Sequence, residues 1–138
     1  MTRPTVLLAD HNASVAGSIR ELLEEAFEVV GVVGSSLELE SAFERLTPQV
    51  VVTDLMMPDE SGLVAARHIL ERRPATRVVF LSVIDAPAMI RASVLEGVHA
   101  YVVKEDAADE LVPAINAVLD GQTYISTAGR RGLPQSRP

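Results

Sequence analysis

Four residues whose side chains could bind and move charge stand at the ends of four short apolar runs. Val6-Leu7-Leu8-Ala9 ends in Asp10, Val50-Val51-Val52-Thr53 in Asp54, Val78-Val79-Phe80-Leu81 in Ser82, and Ala100-Tyr101-Val102-Val103 in Lys104. Such runs, with no polar alternation, suit strands buried on both faces of a parallel sheet. If the four strands lie parallel in one sheet, two carboxylates, a hydroxyl and an ammonium converge at its carboxyl edge, where open α/β folds hold their ligands. That set outlines a site for a cation and a phosphate. Singly, each residue has a plainer reading. Asp54 could cap the turn that begins at Met56-Met57-Pro58, and Lys104 could be a surface lysine after an edge strand. Against the plainer reading, Lys104 is the only lysine in the chain, every other cation being arginine. A compact ammonium on a flexible stem suits a tight phosphate or carboxylate site.

The elements that must position these residues follow from spacing. A first strand is predicted over residues 5–9, then a helix from Ser14 carrying Val15, Ile19, Leu22, Leu23 and Ala26 at helical spacing. Residues 27–34 read as a second strand at a sheet edge. Ser36 is the predicted N-cap of a second helix, with Leu37, Leu39, Ala42, Phe43 and Leu46 inward and Pro48 as its stop. A third helix is predicted over residues 61–73, with His68 on a partly exposed face, ended by Pro74. A fourth starts at Asp85 and Pro87, carries Met89, Ile90, Ser93, Val94 and Leu95, and ends at Gly97 as C′ residue. The fifth spans residues 107–119, but Pro113 falls inside it, so its regular part is expected to begin between Asp109 and Leu111. Five β-α repeats joined by right-handed crossovers predict a flavodoxin-like doubly wound (βα)5 fold: a five-stranded parallel sheet in order 2-1-3-4-5 with helices on both faces. Residues 127–138, without periodicity and rich in Gly, Pro, Ser and Arg, read as a linker or disordered tail after a domain at 1–126.

Composition narrows the partners. The net charge is −7, and no acidic residue follows Asp120 while Arg130, Arg131 and Arg137 do, so the body of the chain is more acidic still. Such a surface repels polyanions and argues against direct nucleic-acid binding by this domain. The absence of cysteine fits a reducing compartment, and the absence of a long apolar segment or signal pattern predicts a cytoplasmic chain with no membrane association.

Taken together, LLAD at Leu7–Asp10, VVTDLMMPDESG from Val51, FLS at Phe80–Ser82 and GVHAYVVKE from Gly97 resemble the receiver domain of two-component response regulators. The resemblance covers about residues 4–126, and is closest to the subfamily with a C-terminal LuxR-type helix-turn-helix. It implies a signalling domain rather than an enzyme. Asp54 would be the phosphoacceptor, forming an aspartyl phosphate with a phosphoryl group from a sensor histidine kinase. Mg²⁺ would be held by the Asp10 and Asp54 carboxylates and the backbone carbonyl of Met56. Ser82 and Lys104 would each meet a phosphoryl oxygen, and Ser82 would move with Tyr101 as a two-state switch. Tyr101 also has a plainer reading, as a half-buried edge-strand aromatic.

Two positions depart from the family pattern. His11 stands where a second metal-binding acidic residue is usual, and imidazole is a poor ligand for Mg²⁺. Glu105 follows Lys104 where many members have a cis proline, and a cis bond before a non-proline residue would cost about 3 kcal/mol. The expected output, a helix-turn-helix domain, does not follow residue 126, so the chain reads as an excised receiver with its linker or as a single-domain regulator. The first alternative is a pseudo-receiver working without phosphate because of His11. The second is a small enzyme on the same fold, disfavoured because no Gly-rich phosphate loop follows the first strand. A homodimer would need an apolar patch. The two candidates are Val94 and Val98 with Ala108 and Val112, or Val15 and Ile19 with Ile115.

Overall fold

The computed structural model describes residues 2–133. The elements run β1 (Thr5–Ala9), α1 (Ala13–Glu24), β2 (Glu28–Val33), α2 (Ser36–Leu46), β3 (Val50–Thr53), α3 (Gly62–Arg72), β4 (Arg77–Ser82), α4 (Pro87–Leu95), β5 (Ala100–Val103), α5 (Ala107–Leu119), β6 (Tyr124–Ile125) and α6 (Thr127–Arg130). A 3₁₀ turn over Lys104–Asp106 feeds β5 into α5. All strand pairs are parallel, and the order is β2-β1-β3-β4-β5-β6.

The apolar runs explain the layers. Successive residues of a strand point to opposite faces, so an unbroken apolar run feeds two cores at once. Val6, Leu8, Val50, Val52, Val79, Leu81, Ala100 and Val102 meet α1 and α5 through Ala16, Ile19, Leu23, Leu111, Ile115 and Val118. Leu7, Val51, Val78, Phe80, Tyr101 and Val103 meet α2, α3 and α4 through Leu39, Phe43, Ala66, Ile69 and Ile90. Full burial of one such Val or Leu contributes about 1.5–3 kcal/mol, so the three fully buried valines of β3 anchor the strand that ends at Asp54.

The α/β class, the parallel sheet and the two helical layers agree with expectation. The sheet, however, has a sixth strand. Tyr124 and Ile125 pair with Ala100 and Tyr101, so β5 is not an edge strand and Tyr101 is fully buried rather than half-buried. The expected linker is folded through Leu133: Ala128 of α6 is buried, its N–H is donated to Asp106 Oδ2 at 2.8 Å, and Glu110 accepts from both the Tyr124 hydroxyl and the Thr127 N–H. Four residues carry too short a pattern to announce a helix, and this one exists because β5 and the 3₁₀ turn offer it partners. The rest of the expected tail, residues 134–138, lies outside the described residues.

Several boundaries move for local reasons. Ser35, not Ser36, caps α2 by accepting the Glu38 N–H, while Ser36 is buried and gives its hydroxyl to the Glu60 carbonyl. Leu37, expected inward, is 69% exposed; on α4, Val94 of the first candidate dimer face is exposed, as is its neighbour Leu95. Helix α5 begins at Ala107 despite Pro113, because Pro113 lies on the solvent side, where water can reach the Asp109 carbonyl it leaves without an N–H partner. Gly97 does close α4, at φ +95° where a Cβ would be strained. The proposed dimer faces lose members: Val98, Ile19 and Ile115 are spent inside the protein's own core. Among the described residues no helix is long and apolar enough to cross a membrane.

Candidate functional site

β1, β3, β4 and β5 all deliver their last residues to one end of the sheet. The register pairs Ala9 with Thr53, Thr53 with Phe80, and Ser82 with Val103. Asp10, Asp54, Ser82 and Lys104 are thereby brought to the same edge. Lys104 Nζ lies 2.9 Å from Asp10 Oδ2 and 2.8 Å from Asp54 Oδ2, so a single ammonium bridges the two carboxylates. Both aspartates are almost wholly buried, at 4% and 5% exposure. Their other oxygens are satisfied by backbone: Asp10 Oδ1 accepts the Asn12 N–H at 2.9 Å and Asp54 Oδ1 accepts the Met56 N–H at 3.0 Å. Burial alone would lower the Lys104 pKa, but its bonds to Asp54 and Asp10 outweigh burial and raise it. The lysine therefore stays charged through the neutral range.

The loop after Asp54 is held close to the site. Gly62 approaches so nearly that a Cβ there would sit 2.5 Å from the Asp54 carbonyl oxygen, and its N–H is donated to the Leu55 carbonyl at 2.8 Å. Asp59 clamps this loop to α2. Its carboxylate accepts the Ser36 and Leu37 N–H groups at 2.9 and 3.0 Å, and these bonds hold its pKa below the usual carboxylate value.

Ser82 and Tyr101 are linked through a residue that composition alone does not single out. Ser82 Oγ accepts the Ile84 N–H at 3.1 Å, and the Tyr101 hydroxyl donates to the Ile84 carbonyl at 2.7 Å. The ring of Tyr101 stands edge-on to Phe80, with centroids 6.2 Å apart. Burial raises its pKa, with the nearby Asp54 and Asp85 adding to the rise and Ser82 opposing it. Only backbone atoms of Ile84 take part, so no side-chain signal could have found it. Asn12 is the other contributor missed: its side chain caps α1 through the Ser14 and Val15 N–H groups while its own N–H holds Asp10.

His11 is exposed, yet one of its ring nitrogens lies within 4.8 Å of a carboxylate oxygen of both Asp10 and Asp54. The carboxylate oxygens of Asp10 and Asp54 suit a hard ion such as Mg²⁺. The imidazole that completes the group does not. Away from this edge, His68 bonds Glu40 Oε1 at 2.9 Å and with Glu60 forms a second group that could hold a metal. The peptide before Glu105 is trans, no cis bond occurring among the described residues.

A parallel sheet whose carboxyl edge gathers two aspartates, a serine and a bridging lysine defines a receiver domain. The chain belongs to the response regulator receiver domain family, which matches residues 6–116. It is 36% identical over 124 residues to the transcriptional regulatory protein MctR of Rhizobium johnstonii, a match taking in 88% of this chain and 58% of that protein. A crystal structure of a LuxR-family two-component response regulator from Aurantimonas sp. SI85-9A1 superposes with a TM-score of 0.89 at 28% identity over 94% of each chain. The isolated REC domain of RcsB from Salmonella enterica serovar Typhimurium, solved with the phosphomimetic BeF₃⁻, gives a TM-score of 0.89 at 26% identity, covering 96% of this chain and 100% of that one. The chain spans about half the length of the curated relatives it matches.

Proposed function

We propose that Asp54 accepts, in the cytoplasm, a phosphoryl group from the phosphohistidine of a sensor kinase, and that the resulting change is read by a DNA-binding output domain. The bridging ammonium supports this reading most directly. Lys104 joins the two carboxylates while Ser82 waits at the same edge, so the charges that a phosphoryl group needs around it are assembled before it arrives. Asp54 Oδ2 would attack phosphorus in line, the P–N bond of the donor would break, and its electron pair would leave with the imidazole. Lys104 would then move from the carboxylates to a phosphoryl oxygen. Ser82 would exchange the Ile84 N–H for another phosphoryl oxygen, which releases the Ile84 segment and with it the Tyr101 hydroxyl. A divalent cation, when bound by Asp10, Asp54 and the Met56 carbonyl, supplies further neutralisation of the phosphoryl charge. In this scheme the domain catalyses nothing beyond its own phosphorylation and dephosphorylation.

The test is incubation with a small phosphodonor and a divalent cation, followed by intact mass. Wild type gains one phosphoryl group that is lost in mild alkali or hydroxylamine, and Asp54→Asn does not. Retention of phosphate by Asp54→Asn would sink the assignment. A second reading, a pseudo-receiver regulated without phosphate, is favoured by His11 beside the carboxylates. It predicts a folded wild type that gains no mass with any phosphodonor or divalent ion.

A further inference from the structure

We infer that the site is tuned by His11 toward first-row transition ions that accept nitrogen, and away from Mg²⁺. The inference rests on reading this edge as the receiver's metal-assisted phosphoacceptor site. Three observations carry it. One imidazole nitrogen stands within 4.8 Å of ligating oxygens on Asp10 and Asp54, so a single ion can meet two carboxylates and a nitrogen. The two carboxylates are already neutralised by Lys104 at 2.9 and 2.8 Å, so an ion must compete with an ammonium for the same oxygens. A hard ion that depends chiefly on those carboxylates loses most in that competition. An ion that also bonds imidazole keeps one contact that Lys104 cannot contest. The third observation is that His11 is exposed and lines, with Asp10, Ala13, Gly17 and Gly34, an open cavity of about 300 Å³, so its ring has room to turn onto an ion.

Softness decides the rest. Imidazole adds little for Mg²⁺, which binds carboxylates, carbonyls and water and gives up its own water reluctantly. For Mn²⁺ and Co²⁺ it is an ordinary ligand, and affinity for a mixed N/O site rises from Mn²⁺ toward Co²⁺. The ratio of Co²⁺ to Mg²⁺ affinity should therefore depend on residue 11, while the requirement for Asp10 is common to both ions.

Calorimetric titration with Mg²⁺, Mn²⁺ and Co²⁺ separately tests this. Because Glu40, Glu60 and His68 could take the same ions, every protein also carries His68→Gln. His11→Ala is expected to lower Co²⁺ affinity by about tenfold or more, with Mg²⁺ affinity changed by less than about threefold. His11→Asp is expected to raise Mg²⁺ affinity and shrink the Co²⁺ to Mg²⁺ ratio. A smaller loss of Co²⁺ affinity in His11→Ala, or an equal loss for both ions, overturns the inference. Asp10→Asn separates the two levels of argument. If it abolishes binding of all three ions while His11→Ala matches wild type, the metal site stands and the role of His11 falls. If Asp10→Asn changes nothing, the site itself is misplaced and the inference falls with it.

Discussion

Replacing Lys104 with methionine removes the ammonium that joins two buried carboxylates, while keeping a stem of similar volume. In wild type, Nζ lies 2.9 Å from Asp10 Oδ2 and 2.8 Å from Asp54 Oδ2, with 17% of the lysine side chain exposed and 2% and 6% of the aspartates. Removing one partner of a buried pair leaves uncompensated charge and costs about 3–5 kcal/mol. Here each carboxylate keeps one backbone N–H bond, and the sheet edge is close to water, so the lower end, about 3 kcal/mol, is expected. For a domain of this size that lowers Tm by about 10 °C. Because the lysine pKa is raised in the folded protein, its stabilisation is complete below its ordinary value of 10.5 and is lost only as pH rises through the higher folded value. The penalty of the variant should therefore be present at pH 7 and 8 alike. A divalent cation should also rescue the variant more than it stabilises wild type, since no ammonium has to be displaced, with about 2.7 kcal/mol available at a hundredfold excess over Kd. Urea unfolding followed by circular dichroism, with and without the ion, measures both effects. A loss under about 1 kcal/mol, or equal stabilisation of both proteins by the ion, refutes the claim that Lys104 neutralises this pair.

Three further outcomes are expected. Gly62→Ala improves helix propensity by about 1 kcal/mol but places a methyl 2.5 Å from the Asp54 carbonyl, so a net loss of about 2 kcal/mol and slower phosphorylation are expected, by denaturant unfolding and intact mass. Tyr101→Phe removes the 2.7 Å bond to the Ile84 carbonyl; it should cost about 1 kcal/mol and speed amide exchange at Ile84, with the core otherwise unchanged. The pKa of His99 is lowered below 6.5, first by burial and then by the positive Arg77, and its Nδ1 accepts the Val78 N–H, a role open only to the unprotonated nitrogen. Its neutral form thus stabilises the fold fully above pH 6.5, and that contribution is lost as pH falls through the folded value; His99→Gln should flatten the slope of stability against pH in this acidic window.

What could be read from the chain alone was whatever depends on local pattern. The four apolar runs announce strands buried on both faces, and the residue after each run must lie at the sheet's carboxyl edge, so Asp10, Asp54, Ser82 and Lys104 were legible in the sequence. The same logic exposed His11, since its position beside Asp10 is a matter of sequence. Tertiary structure decided the contacts. That Lys104 bridges both aspartates depends on the order of β1, β3 and β5 across the sheet, which brings together residues far apart in the chain. That Ser82 and Tyr101 meet through Ile84 depends on backbone N–H and C=O groups, which every residue type but proline carries in full and which therefore leave no mark on composition. β6 and α6 were invisible for a related reason: two and four residues hold no periodicity, and their stability comes from β5, Asp106 and Glu110 rather than from themselves. Leu37, apolar and at helical spacing, lies outside because the loop at Asp59 and Glu60 draws the first turn of α2 inward through Ser36 instead.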